Sequence, residues 1–329
     1  MHPRWLLFPL SPFIFVQTVS APGQVREQIR VQTTLVNVPV MVSDGAGGTV
    51  IGLEANDFAL YDDGVRQPLA FFAAATEPIR VALLLDTSKS TATVLDRIRK
   101  AADGFVSQLR PGDEAMVVSF DSEVNILCRW KSEQKEIKQA IRSAEVGNYV
   151  GSRMRDAVAL VVEKYLRPGQ GRKAIILLTD GQDYGSSVSP DDVVRAAVDS
   201  GIVMYPVFYR IDRRELAKKL FGISLPKDIP GGEGWVETER AALDSLQRMA
   251  EESAGALYRS EIPDLKKTFA RVADELRHQY LLAFYPDPSR VDGADHRLSV
   301  SVSRSGLHVR ARTRYRASAA KHPQAPAMH

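Results

Sequence analysis

The feature that most constrains this chain is an unbroken apolar run at residues 81–85, which ends at Asp86. A run that is apolar at every position predicts a strand buried on both faces, as in a parallel sheet. Ser88 and Ser90 follow the carboxylate at even spacing. Because open α/β folds bind their ligands at the carboxyl ends of the strands, Asp86, Ser88 and Ser90 are candidates for a binding site.

A second strand pattern of the same kind, at residues 174–179, also ends at a carboxylate, Asp180. From residue 80 to residue 276, strand patterns alternate with amphipathic helical patterns, which predicts an α/β fold with a doubly wound, mostly parallel sheet. With right-handed crossovers the two strands are expected to be neighbours, which brings Asp86 and Asp180 to one edge. Residues 210–236, first charged and then rich in Pro and Gly, are interpreted as an insertion or a surface loop.

Outside this region the pattern changes to short strands without helices. They fall at residues 35–42, 57–61, 68–72, 280–285, 298–303 and 307–313. Neither end of the chain alone offers enough strands to be stable. We therefore predict that the α/β domain, residues 76–276, is inserted in a small β-sandwich-like domain built from residues 30–75 and 277–316.

Residues 1–23 have the layout of a secretory signal peptide: a basic residue, an apolar stretch and small residues before an expected cleavage after Gly23. Pro9 and Pro12 argue against a membrane-spanning helix there, and no later apolar run is long enough to cross a bilayer. The mature protein is therefore expected to be exported to the periplasm, the cell surface or the medium, without a transmembrane segment. Residues 317–329, small, basic and proline-containing, are expected to form a disordered tail.

Charge and composition do not identify a partner. The formal net charge of +3 is too small to indicate a nucleic-acid or membrane-surface partner. The alternating arginines at 304, 310, 312, 314 and 316 are interpreted as a solvated strand face. The single cysteine, Cys128, cannot form an internal disulfide and is expected to pack as a small apolar residue. All six histidines lie outside the α/β region, which removes the commonest general base from the candidate site.

The candidate residues Asp86, Ser88, Ser90 and Asp180 offer only oxygen atoms to a ligand. Such a set suits a hard cation and disfavours the softer metals that prefer nitrogen or sulfur. Mg²⁺ is the natural candidate, with Mn²⁺ or Ca²⁺ as alternatives, and neutral hydroxyls leave it able to accept an acidic group from outside. Two simpler interpretations stay open: the serines cap the following helix, and Asp180-Gly181 forms an ordinary turn.

The segment Asp86-Thr87-Ser88-Lys89-Ser90 resembles the D-x-S-x-S signature of von Willebrand factor type A domains, and Thr179-Asp180-Gly181 resembles their later T-D-G. The third contributor in that family is a threonine on an intervening loop, and Ser152 occupies its position here. Serine keeps the hydroxyl of threonine but lacks the methyl group that fixes the rotamer. The resemblance covers about residues 76–275.

In that family these motifs form a metal-ion-dependent adhesion site. The resemblance implies that Asp86, Ser88, Ser90, Ser152 and Asp180 hold Mg²⁺, which bridges to an Asp or Glu carboxylate of a protein partner. The flanking β segments, residues 57–64 and 278–286, look like those of a VWFA-related group from acidobacterial genomes.

The leading hypothesis from the sequence is an exported, non-enzymatic module that binds a protein partner through Mg²⁺. One alternative is a metal-dependent phosphohydrolase in which Asp86 attacks a phosphoryl group. Enzymes of the aspartyl-phosphate type need a second acid two residues later, where this chain has Ser88. A third hypothesis is a structural, export-associated protein whose metal stabilises loops. The sequence does not indicate an oligomeric state.

Overall fold

The computed structural model describes residues 35–149, 151–167, 171–211, 216–219, 222–224, 233–290 and 293–316. The predicted signal peptide, the predicted disordered tail and much of the predicted 210–236 loop lie outside the described residues. Among the helices that the structure describes, none combines the length and the apolar character needed to cross a bilayer.

The strands of the described chain are β1 (Val36–Ser43), β2 (Phe58–Asp62), β3 (Val65–Gln67), β4 (Phe71–Ala73), β5 (Ile79–Asp86), β6 (Glu114–Phe120), β7 (Val124–Lys131), β8 (Arg172–Thr179), β9 (Val203–Tyr209), β10 (Tyr258–Ser260), β11 (Tyr280–Phe284), β12 (Asp295–Val302), β13 (His308–Ala311) and β14 (Arg314–Arg316). The α-helices are α1 (Leu95–Val106), α2 (Gln134–Arg142), α3 (Met154–Val161), α4 (Pro190–Asp199), α5 (Glu233–Glu252) and α6 (Leu265–Arg277). Short 3₁₀ segments lie at Ala55–Asp57, Lys89–Thr93, Ile262–Asp264 and Pro288–Arg290, and a π-helical turn, Val162–Leu166, extends α3.

A six-stranded sheet in the order β10-β9-β8-β5-β6-β7 forms the centre of the fold. Its strands are parallel except for β7, which is antiparallel at the edge. One face packs on α1, α2 and α6, and the other packs on α3, α4 and α5. Leu83 and Leu85 of β5 face the first layer, whereas Leu84 faces the second. The run is apolar at every position because helices cover both faces, which confirms the predicted doubly wound sheet.

Two antiparallel sheets flank this α/β region, in the orders β13-β1-β11-β4 and β14-β12-β2-β3. Each sheet joins strands from both ends of the sequence: β1 pairs with β11, where Val38 lies opposite Leu282, and β2 pairs with β12, where Leu60 lies opposite Val300. Val38, Leu60 and Leu282 are fully buried in one core that the two sheets share. This arrangement confirms the predicted β-sandwich-like unit around the α/β domain.

A buried arginine links the two segments that connect the α/β region to the flanking sheets. Arg172, the first residue of β8, is 4% exposed. Its guanidinium donates to the carbonyl oxygens of Ala75 and Glu77, where the chain enters the α/β region, and to that of Leu276, where the chain leaves it. Entry and exit are therefore held together at the amino edge of the central sheet.

The predicted solvated arginine face is wrong at Arg312, which is 2% exposed. Its guanidinium donates to the carbonyl oxygen of Val198, in the last turn of α4. A helix C-terminus carries unpaired carbonyls and partial negative charge, so it is a favourable partner for a buried cation. The alternation fails because β13 ends at Ala311 and β14 begins at Arg314, which leaves Arg312 in the connection between them.

The domain boundaries stay a prediction that fragment expression tests. Residues 76–276 are expected to fold when expressed alone, since both faces of their sheet are covered by their own helices. Fragments 30–75 and 277–316 are each expected to remain unfolded, because each lacks half of the paired strands. Circular dichroism and amide proton dispersion measure both outcomes. A fragment that folds independently would contradict the composite β domain.

Candidate metal site

The carboxyl ends of β5 and β8 bring four of the predicted site residues into one hydrogen-bonded chain. The strands are direct neighbours, with Leu85 opposite Leu178. Ser88 Oγ lies 2.5 Å from Asp86 Oδ1 and 3.0 Å from Ser90 Oγ. The Ser90 hydroxyl in turn donates to Asp180 Oδ2 at 2.7 Å. The two carboxyls are thus joined through two hydroxyls, as the parallel arrangement of the strands predicts.

Backbone and threonine donors fix both carboxyl groups in place. Asp86 accepts the Ser88 amide at 3.0 Å and the Thr179 hydroxyl at 3.1 Å, and Asp180 accepts the Gln182 amide at 3.0 Å. Gly181 turns the chain at φ +81°, and a Cβ there would lie 3.0 Å from Ala242 Cβ. Each residue of the T-D-G sequence therefore has a role. Thr179 donates its hydroxyl to Asp86, Asp180 supplies the second carboxyl, and Gly181 allows the turn that follows.

The serines do not act as helix caps. Ser88 precedes the 3₁₀ segment Lys89–Thr93, but its side chain makes no capping hydrogen bond, and α1 has Val94 at its N-cap position. Both hydroxyls are directed to carboxyl groups instead. The simpler interpretation of the serines as helix caps is therefore wrong.

Ser152 stands on the loop before α3, next to the loop that carries Asp180. Its main chain pairs with Tyr184, through N–H···O contacts of 3.1 and 2.8 Å. The side chain is 1% exposed, and Oγ has no hydrogen-bond partner within the described part of the chain. Ser152 therefore lies at the same edge of the sheet, but no hydrogen bond joins its hydroxyl to Asp86, Ser88, Ser90 or Asp180.

Asp121 connects the loops that follow β5 and β6, and it is not among the predicted metal ligands. It follows β6, as Asp86 ends β5, and its Oδ2 accepts the Thr87 hydroxyl at 3.0 Å. Its carbonyl oxygen accepts the Arg153 amide at 2.7 Å, and the Thr87 carbonyl accepts the Gly147 amide at 2.8 Å. An acid directly after a third parallel strand was the available signal, since strand ends meet at this edge.

The Asp86 carboxyl is held in an environment that favours its protonated form. Burial, with the nearby charge of Asp180, raises the pKa of the fully buried Asp86 carboxyl to about 8. A count of the protons in the hydrogen-bonded chain also favours a protonated Asp86. The chain has three contacts, Asp86–Ser88, Ser88–Ser90 and Ser90–Asp180, and each needs one proton. If both carboxyls are ionised, the two hydroxyls supply only two protons. A proton on Asp86 completes the chain, and so would a cation among these oxygens. The all-oxygen donor set and the unpaired, buried hydroxyl of Ser152 fit a hard metal ion.

A second cluster of possible ligands, Asp62, Asp63 and His296, lies in the flanking sheets. Arg290 contacts Asp63 and lies 3.6 Å from Asp62 Oδ1, and the Tyr315 hydroxyl donates to Asp62 Oδ2 at 2.8 Å. The guanidinium supplies the positive charge that these carboxylates need. The cluster is therefore an ion-pair network that stabilises the turn after β2, and not a competing metal site.

Residues 81–229 match the family model of the von Willebrand factor type A domain. The curated proteins include no match to this chain.

Several solved structures are similar to this chain at low sequence identity. BatB from Bacteroides thetaiotaomicron is 18% identical, with 60% of this chain and 97% of that chain covered and a TM-score of 0.46. The von Willebrand factor type A protein from Catenulispora acidiphila is 13% identical, with 80% and 75% covered and a TM-score of 0.47. Proximal thread matrix protein 1 from the mussel byssus, with a zinc-occupied MIDAS motif, is 16% identical, with 65% and 49% covered and a TM-score of 0.49.

Proposed function

We propose that this chain, whose residues 81–229 match the family model of the von Willebrand factor type A domain, is an exported protein that binds a protein partner through Mg²⁺. The cation is held by Asp86, Ser88, Ser90, Ser152 and Asp180. The observation that carries the proposal is the hydrogen-bonded chain from Asp86 to Asp180, in which two hydroxyl protons serve three contacts. A hard cation among these oxygens would take the place of the missing third proton.

Each ligand residue has a defined part in the proposal. The hydroxyl oxygens of Ser88, Ser90 and Ser152 are neutral ligands, while Asp86 and Asp180 supply negative charge through water molecules that the cation keeps. The bound cation accepts a carboxylate oxygen from outside, since its direct protein ligands are neutral hydroxyls. The partner is therefore a protein that presents an Asp or Glu side chain.

Two exposed aromatic side chains border the proposed contact surface. Tyr149 is 70% exposed on the loop that carries Ser152, and Tyr184 is 52% exposed on the loop that carries Asp180. The Tyr184 hydroxyl donates to Gln182 Oε1 at 2.7 Å, which fixes the ring. Tyrosine rings contribute large apolar contact areas at protein interfaces. A partner bound at the cation could therefore pack against these two rings.

We assign the module an extracytoplasmic location and no enzymatic activity. The location rests on the signal-peptide layout of residues 1–23. The second assignment rests on the chemistry of the site: no histidine lies between residues 76 and 276, and Ser88 stands where an aspartyl-phosphate enzyme needs an acid. No nucleic-acid partner is proposed, because the net charge of +3 is small.

Capture of acidic peptides, with and without chelator, tests the proposed function. The probe is an immobilised array of short peptides centred on Asp or Glu, and matched peptides centred on Asn or Gln are the control. We expect the full chain to bind the acidic peptides in Mg²⁺ and to lose them in EDTA. Binding that survives EDTA, or that does not distinguish Asp from Asn, would contradict the proposal. A melting shift with Mg²⁺ but no peptide capture would favour a purely stabilising metal.

A further inference from the structure

Tyr209 is a buried tyrosine at the same edge of the sheet as the proposed metal site. It is the last residue of β9, and the β8–β9 register pairs Thr179 with Phe208. Tyr209 therefore lies level with Asp180, the residue that follows Thr179. The side chain is fully buried on the face that packs on α1 and α6.

The hydroxyl of Tyr209 has no hydrogen-bond partner within the described residues. Buried polar groups in folded proteins are nearly always paired, because an unpaired hydroxyl loses its interaction with water without replacement. An exception of this kind at a proposed ligand site needs an explanation. The hydroxyl of Ser152 is a second exception at the same edge.

Two carboxyl groups of the proposed site act on this hydroxyl. Burial, then the negative charges of Asp86 and Asp180, raise the pKa of Tyr209 well above its usual range. The hydroxyl is therefore neutral under all ordinary conditions. Both carboxyls already accept other donors, Asp86 from Thr179 and Ser88, and Asp180 from the Gln182 amide and the Ser90 hydroxyl.

We propose that Tyr209 is a positioning residue of the metal site, whose hydroxyl oxygen accepts a hydrogen bond from a water molecule held by the cation. The inference rests on the proposed function, because it requires Mg²⁺ at this edge. Mg²⁺ keeps several of its waters in protein sites, and a water bound to a cation is a strong hydrogen-bond donor. The bound water thus provides the partner that the buried hydroxyl lacks.

Tyr209→Phe tests the inference, with Mg²⁺ affinity and metal-free stability measured on the full chain. Phenylalanine keeps the ring and removes only the hydroxyl. We expect the Kd for Mg²⁺ in isothermal titration calorimetry to weaken about tenfold, as a hydrogen bond next to a charged group is lost. The melting temperature without metal should stay equal or rise, because an unpaired polar group leaves the core. A merely structural role would lower the metal-free melting temperature and leave the Kd unchanged.

Tyr205→Phe is the matched control. Tyr205 lies four residues earlier on the same strand and face, and it is also fully buried. The charges that act on it are those of Glu275, Arg310 and Arg172, away from the proposed site. Its replacement should leave the Kd for Mg²⁺ unchanged.

The outcomes separate this inference from the function on which it rests. If the wild-type chain binds Mg²⁺ and Tyr209→Phe binds it equally well, Tyr209 has no role in the site, while the metal site stands. If Tyr205→Phe weakened the Kd for Mg²⁺ as much as Tyr209→Phe does, the inference would also be overturned. The loss of affinity would then come from a general change in the core. If the wild-type chain gives no Mg²⁺ signal, the proposed function and the inference both fail.

Discussion

Asp86→Ala is expected to weaken the affinity for Mg²⁺ at least about hundredfold, or ~2.8 kcal/mol, and to abolish capture of acidic peptides. The variant removes one of two charged groups of the site and the acceptor for the Ser88 hydroxyl. Titration calorimetry measures the first effect, and the peptide array measures the second. Asp96→Ala is the control, because Asp96 lies on α1 with its side chain 82% exposed. Capture of acidic peptides that persists in both Asp86→Ala and EDTA would refute the proposed function.

Asp86→Asn adds a pH profile to this test. The pKa of Asp86 is raised from 3.8 to about 8, so the stability that its protonated form contributes is complete below about pH 4 and is lost as the pH rises to about 8. Mg²⁺ requires the ionised carboxylate. The melting shift that Mg²⁺ causes should therefore grow between about pH 6 and about pH 9 in the wild-type chain. In Asp86→Asn, the increase of this melting shift with pH that comes from the ionisation of Asp86 should disappear.

Arg172→Ala is expected to lower the free energy of unfolding by about 3–5 kcal/mol. The buried guanidinium donates to three carbonyl oxygens, of Ala75, Glu77 and Leu276. Burial lowers the pKa of Arg172 to about 10, so the group remains charged at neutral pH. Its loss leaves these carbonyls without a donor and opens a cavity at the junction of the chain segments. Urea denaturation of the full chain measures the change.

Two further variants serve as controls for the stability change in Arg172→Ala. Arg97→Ala removes an exposed arginine of α1 and should change the midpoint little. Arg172→Lys keeps a charge but cannot present the planar array of donors, so its stability should fall between the wild type and Arg172→Ala. A midpoint for Arg172→Ala equal to that of Arg97→Ala would mean that water satisfies the carbonyls.

The central sheet and four site residues could be predicted because their signals are local. The runs that become β5 and β8 are apolar at every position, and parallel strands that both end in acids must present them at one edge. The positions of Asp86, Ser88, Ser90 and Asp180 follow from that rule. Asp121 follows the same rule, but no motif beside it marks it as part of the site, so its place after a strand is a weaker signal.

The remaining features depend on contacts between distant parts of the chain. The pairing of Val38 with Leu282 joins strands separated by the whole α/β domain, and no local pattern encodes such a register. Arg312 continues an alternating pattern, yet a strand break turns it towards the end of α4. Tyr209 resembles any apolar residue of a buried strand. Its place at the carboxyl edge of the central sheet, near Asp86 and Asp180, is seen only in the structure.

The positions of Arg172 and Asp86 at opposite ends of the central sheet set the direction in which a pulling force would cross the domain. A tethered partner held at the carboxyl edge would pull at the end of β5, while the rest of the chain resists from residues 75–77 and 276, at the amino edge. Tension would then run parallel to β5, β6 and β8. In this geometry the ladder hydrogen bonds, which run across the strands, are sheared together and not opened one after another.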